Sequence, residues 1–247
     1  MSRLLSISEL IHESWSAYAK YWHKSLHISA WFLLLPAISF LAVVATRASA
    51  DTSEVLFGVL SIIRFIMVIW VTVRLYRWLL TEEKHIPEPE HEGRTAWSLV
   101  LPLLWTSLLK GLAIAGGFML FVFPGIWIAV LLQFSELFLL GDGYRGTQAI
   151  AASYALVKGR WWEVFWRLVV PGALFLTLSI VLIGAISTIL GFIAGAGKID
   201  TILSVTGSNP LIDSSRQLIE GLTQMIFLPL FLVWQIKLFR SLKESQA

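Results

Sequence analysis

The sequence predicts an all-α fold: a polytopic transmembrane helical bundle of about six spans, with amphipathic helices lying on its cytoplasmic face. Composition is the first reason. At 57% hydrophobic and 14% charged, with a mean hydropathy of +0.75, the chain is far from the roughly 45–50% apolar and 25% charged of a soluble domain. The second is a series of six apolar runs, and the third is the uneven placement of basic residues between those runs. Twelve Trp and fifteen Phe suit the same class, because aromatic rings favour the headgroup boundary.

The first segment, about residues 5–24, carries too many charges to span. Ser6 and Glu9 have capping-box spacing, and Leu5 with Leu10 has that of a hydrophobic staple. Ile7, Leu10, Ile11, Trp15, Tyr18 and Trp22 recur at helical intervals, so the segment is expected to be a helix on the membrane surface. Spans are then expected at about residues 28–46, 55–75, 100–123, 126–140, 168–195 and 218–238. Between the third and fourth, Pro124-Gly125 is read as the reversal of a hairpin, since proline ends a hydrogen-bond ladder and glycine accepts a tight turn. A second surface helix is expected over 146–158, with Trp161 beside Trp15 and Trp22 at the lipid boundary.

Orientation follows from the cations. Fourteen of the nineteen Lys and Arg fall on the side that holds both ends of the chain, three (Arg47, Lys198, Arg216) on the other, and Arg64 and Lys110 inside spans. The positive-inside bias then places both termini and the loops near Glu88 and Gly146 in the cytoplasm, with Ser49, Pro124 and Gly207 facing outward. A nucleic-acid stripe is a poor reading of charges so distributed. Ala48-Ser49-Ala50 matches a signal-peptidase site, but the charged leader and long apolar run before it favour an uncleaved anchor. An echo of Ile11, Ser14, Trp15 and Trp22 in Ile150, Ser153, Tyr154 and Trp161 suggests three copies of a surface helix plus hairpin. Pro36, Pro102 and Pro171 would tip the chain into lipid in the successive copies.

The run Pro124-Gly125-Ile126, the pair Asp142-Gly143, Ala149 with Ser153, and Lys158-Gly159 together resemble one known pattern. It is shared by the YciC-like inner-membrane proteins and by the membrane domain fused to some glycerophosphodiester phosphodiesterases. The resemblance covers Gly117 to Arg167 and implies six-span architecture and membrane location, not a reaction. No soluble phosphodiesterase domain is expected after the last apolar run.

Constellations for chemistry are weak. Gly141, Gly143 and Gly146 spell the dinucleotide fingerprint, but they follow a transmembrane helix and not a strand, so they are read as turn glycines. Asp142 is expected to cap the helix after Gly146 or to pair with Arg145 or Lys158. The acidic loop 82–92 holds His85 and His91, yet Thr95 stands where a zinc-hydrolase motif needs its second histidine. With no Cys there is no thiolate ligand or cysteine nucleophile, and no serine stands in a G-x-S-x-G elbow. Neither a catalytic residue nor a cofactor is expected. Small residues at intervals of four, Ser187, Gly191 and Gly195, and Ala113 with Gly117, are read as helix-packing faces or as a face for self-association.

Arg64, Lys110 and Glu136 form the candidate intramembrane polar cluster, with Arg64 the leading partner of Glu136 by depth and Lys110 the second. The functional expectation is a non-catalytic scaffold or accessory protein of the cytoplasmic membrane. Its partners would be the bilayer and either another membrane protein or a second copy of the chain. A small transporter or lipid-handling protein is the alternative.

Overall fold

The computed structural model describes residues 4–46, 50–83, 92–193 and 210–246, and every regular element among them is helical. In chain order these are α1 (Ile7–Ser29), α2 (Trp31–Thr46), α3 (Ala50–Glu82), α4 (Glu92–Leu120), α5 (Val122–Leu131), α6 (Ser135–Asp142), α7 (Thr147–Val157), α8 (Trp161–Ile193) and α9 (Pro210–Gln246). Five stretches are long and apolar enough to cross a membrane: Gly58–Glu82, Ala96–Leu120, Val122–Asp142, Trp161–Ala185 and Ser214–Gln246. A sixth exists only if α1 and α2, bent by 41°, count as one span. Over the segment 146–158, where a helix was expected, the chain forms α7. Ser49, Glu88, Gly195 and Gly207, the histidines of the acidic loop and the Ala48-Ser49 site lie outside the described residues, as do the side chains of Ser187 and Gly191.

The capping box forms as the sequence indicates. Ser6 N–H donates to Glu9 Oε2 at 2.7 Å, and Glu9 N–H donates to Ser6 Oγ at 3.3 Å, so two orphan donors at the start of α1 are satisfied. Along α1 and α2 the buried residues include Leu10, Ser14, Ala17, Ser25, Ile28, Phe32 and Leu35, an inner stripe at steps of three and four interrupted only at half-buried Tyr21. Trp15 and Trp22 stay exposed on the other side. The break between α1 and α2 is at Ala30, not Pro36; α4 and α8 likewise run through Pro102 and Pro171. Chain breaks fall instead where backbone bonds are replaced locally.

Two compact units emerge. The first comprises Met1–Lys20, Thr72–Gly172 and Leu230–Ala247; the second comprises Tyr21–Val71 and Ala173–Pro229. Within the first, α4 folds back on α5 at Phe121, whose extended backbone (φ −167°, ψ 164°) is the N-cap of α5. This corrects the expected reversal at Pro124-Gly125. Proline is tolerated in the first turn of a helix, where its missing N–H has no partner to lose, so Pro124 starts α5 without ending α4. Nor does Gly125 take a positive φ. Its role is proximity: a Cβ on Gly117 would sit 2.9 Å from Gly125 Cα, and one on Gly125 would overlap the Phe118 ring. Of the expected pair of small residues, Gly117 is buried in this contact and Ala113 is exposed.

A second break, at 132–134, separates α5 from α6. The buried Ser153 of α7 bridges it, its hydroxyl donating to Leu131 O at 2.8 Å and accepting from Phe134 N at 3.1 Å. One side chain thus satisfies two backbone groups that the broken ladder releases. Phe134, Leu137, Leu139 and Leu140 are buried behind this bridge, and Phe239 of α9 meets Phe138 edge-on at 5.0 Å.

In the second unit, Trp31 of α2 meets Trp70 of α3 edge-on at 5.9 Å. Gly221 of α9 has Phe32 O 2.9 Å from where its Cβ would be, so any side chain there would push α9 away from α2. Arg64 Nη2 donates to Glu220 Oε2 at 2.7 Å in the same unit.

Candidate functional site

The α4–α5–α6 hairpin brings the charged pair together. Lys110 Nζ lies 3.1 Å from Glu136 Oε1, with side chains 14% and 23% exposed. Lys110, the second of the two candidates, is therefore the partner of Glu136, and Arg64 pairs with Glu220, which the sequence reading left out. Nominal depth does not decide the pairing, because the turn is at Phe121 and the helix leading to Glu136 is broken at 132–134. Antiparallel neighbours joined by one residue face each other whatever their nominal depth.

The motif positions mostly shape the backbone. Gly143 (φ 77°) is the left-handed C-cap of α6, and Gly146 (φ 52°) and Gly159 (φ 87°) are the other described glycines with positive φ. Gly141 lies within α6, so the fingerprint glycines serve a helix end and a turn. Gly146 N–H donates to Thr106 Oγ1 at 3.1 Å, tying the start of α7 to α4. Ala149 is fully buried beside Ser153 on the inner face of α7. Asp142 does not cap α7, which has no side-chain cap; its Oδ2 accepts from Lys243 Nζ at 2.8 Å.

Further polar ties in this unit join residues far apart in sequence. Glu83 Oε2 lies 2.9 Å from both Lys237 Nζ and Arg240 Nη1. Buried Tyr76 donates its hydroxyl to Gln235 Oε1, and Arg77 donates to Leu140 O at 3.2 Å. Trp234 Nε1 donates to Arg167 O at 3.0 Å, and Arg167 Nε to Leu5 O at 2.8 Å. The sequence showed Tyr76, Glu83 and Gln235 as polar residues in or beside apolar runs; nothing in it paired them.

One cleft, of about 480 Å³, opens at the α7–α8 turn. Trp127, Leu131, Tyr154, Lys158, Gly159, Arg160, Trp161, Trp162 and Glu163 line it, so the motif pair Lys158-Gly159 forms part of its wall. Trp127 and Trp161 stack at 4.6 Å, and Trp161 Nε1 donates to Trp127 O at 3.1 Å. Trp161, expected beside Trp15 and Trp22 with its ring free to meet lipid, is thus buried in the wall, whereas Trp162 and Trp166 are exposed. The echo with α1 holds for Ser14 and Ser153, both buried, and for Trp15 and Tyr154, both exposed, but fails at Trp22 and Trp161. Lys158 Nζ sits 5.6 Å over the Tyr154 ring, and Arg160 is held by the hydroxyl and carbonyl of Ser245. Two cations, one carboxylate and a wall of indoles can hold a charged headgroup; they supply no nucleophile with an adjacent base.

No group of three or more metal-ligating side chains occurs among the described residues. No family model, curated protein or solved structure matches the chain.

Proposed function

We propose that this chain is a multi-pass protein of the cytoplasmic membrane, with both termini in the cytoplasm, that acts as a non-catalytic scaffold or accessory protein and belongs with the YciC-like membrane proteins. The observation that carries the reading is the use of polar side chains in the first unit. Glu83, Glu136, Asp142, Ser153 and Arg160 each tie one segment to another, which suits a shaped, rigid body and is not an arrangement of groups left free to react. The fourteen-to-three division of basic residues supports the orientation. Its partner is a membrane protein or a second copy of the chain, and the bilayer itself.

The test has two arms. In proteoliposomes an imposed pH gradient should decay no faster than in protein-free vesicles, and crosslinking in native membranes should trap the tagged chain in a discrete complex. Accelerated decay that Glu136→Gln abolishes, together with a chain that crosslinks only as a monomer, would replace this reading with transport. The cleft favours lipid handling as the second reading, because its aromatic and basic lining matches headgroup chemistry. Under that reading, phospholipid retained through purification falls in Lys158→Glu.

A further inference from the structure

We propose that the α4–α5–α6 hairpin does not cross the bilayer but lies within one leaflet, entering and leaving by the membrane face that holds the α7–α8 turn and the C-terminal end of α9. Its exposed apolar face is then an interaction surface for the hydrocarbon of that single leaflet. Length and composition allow both arms to span; four observations within the first unit argue against it.

The first is the company kept by the hairpin tip. Trp161 is the opening residue of α8 and of its apolar stretch Trp161–Ala185, and so marks a membrane face. A spanning hairpin that starts from that face would carry its tip across a core roughly 30 Å thick. Instead Phe123 is 6.2 Å from the Trp161 ring, and Trp127 stacks on it at 4.6 Å.

The second is alignment along α9. Arg160 meets Ser245 and Arg167 O meets Trp234 Nε1, so α8 and α9 run antiparallel, with Trp161 near the level of the α9 end. Asp142 meets Lys243, two residues and about 3 Å of rise from Ser245. The chain from Trp127 to Asp142 would cover about 22 Å as a continuous helix, yet it begins and ends near that same level. It therefore crosses α9 and does not run along it.

The third is chemical. From Gly111 to Leu132 no side chain carries a charge, an amide or a hydroxyl, and this stretch includes the turn. Met119, Leu120, Phe121 and Val122 at the tip are 66–88% exposed, an arrangement that suits lipid and not the water beyond an opposite face. Trp97, Leu101, Trp105, Leu108 and Leu112 extend the apolar surface along the outer side of α4 at steps of three and four. The fourth is that the turn can tolerate lipid. Phe121 N–H donates to Gly117 O at 3.1 Å, and Phe121 O accepts from Gly125 N at 3.3 Å, so the break leaves the hinge residue bonded on both sides.

Removing two crossings changes neither the side of the termini nor the charge division, because the hairpin returns to the face it left. The test uses nitroxides at Leu120→Cys and Trp162→Cys, both exposed positions on a chain without cysteine, in proteoliposomes. The expected result is an electron–electron distance well under the roughly 30 Å core thickness, with the label at 120 accessible to oxygen and shielded from a polar nickel relaxant. A distance of about 30 Å or more overturns the proposal in favour of a spanning hairpin. A short distance with position 120 open to the polar relaxant also overturns it, by placing the tip in water.

Discussion

The two units of this protein use the same side chains for different ends. In the second unit, the hydroxyls of Ser39, Thr177, Thr188 and Thr223 turn back to the carbonyl four residues earlier on their own helix, at 2.7–2.9 Å. In the first, Thr81, Thr106 and Ser245 also donate to a carbonyl of their own helix, but Thr106, Ser153, Ser241 and Ser245 bond in addition to a different segment: the start of α7, the α5–α6 break, Leu5 N–H and Arg160. Ion pairs show the same division. Glu83, 10% exposed, takes two cations in the first unit, whereas Arg64 and Glu220 in the second are 23% and 45% exposed. A hydroxyl that closes on its own helix costs little in an apolar setting and specifies no neighbour; one that reaches across fixes which segments must meet. The first unit is therefore specified by polar pairing, and the second leans on close approach of apolar helices, as at Gly221.

If that contrast is right, the largest effect belongs to Glu83. Glu83→Lys leaves Lys237 and Arg240 facing a third cation, and a loss of about 3–5 kcal/mol is expected, seen as a collapse of the monodisperse peak in detergent after mild heating. Survival of that variant with unchanged thermal stability would erase the distinction between the units. Next comes the hairpin pair. Glu136→Arg should cost about 2.5–3.5 kcal/mol as an uncompensated charge in lipid, and Lys110→Glu in the same chain should restore most of it. Rescue by Arg64→Glu in place of Lys110→Glu would show that the pairing is otherwise.

Smaller effects sharpen the comparison. Ser153→Ala strands Phe134 N–H at the break, and about 1–3 kcal/mol should be lost, while Thr177→Ala, whose hydroxyl bonds only its own helix, should sit within about 0.5 kcal/mol of the parent. Thermal unfolding of the two variants side by side measures the difference directly. The smallest expected change is in the second unit's ion pair: Arg64→Met with Glu220→Leu should shift stability by about 1 kcal/mol or less, because both charges leave together and neither is left unpaired. A loss as large as that of Glu83→Lys would mean that the second unit too depends on polar pairing.

Much of the helical frame was legible in the chain itself. Ser6 and Glu9 announced the start of α1 because a capping box is made within four residues, and the turn glycines 143 and 146 were readable because a left-handed backbone excludes most other side chains. The apolar runs were equally plain, since twenty residues without charge have few other uses. What the sequence could not carry was partnership across distance. Arg64 had Glu136 and Glu220 as carboxylates to choose between; Glu136 had Lys110 and Arg64; Asp142 had nearby Arg145 and Lys158 but met Lys243, which lies 101 residues away. The break at 132–134 was equally hidden, because Leu132, Gln133 and Phe134 are ordinary helix residues and Ser153, which makes the break tolerable, lies on another helix. Helix formation, caps and lipid preference are local free energies that neighbouring residues determine. Which charge meets which, and where an apolar helix bends, depends on how the helices stack, and that is decided only when the whole chain has packed.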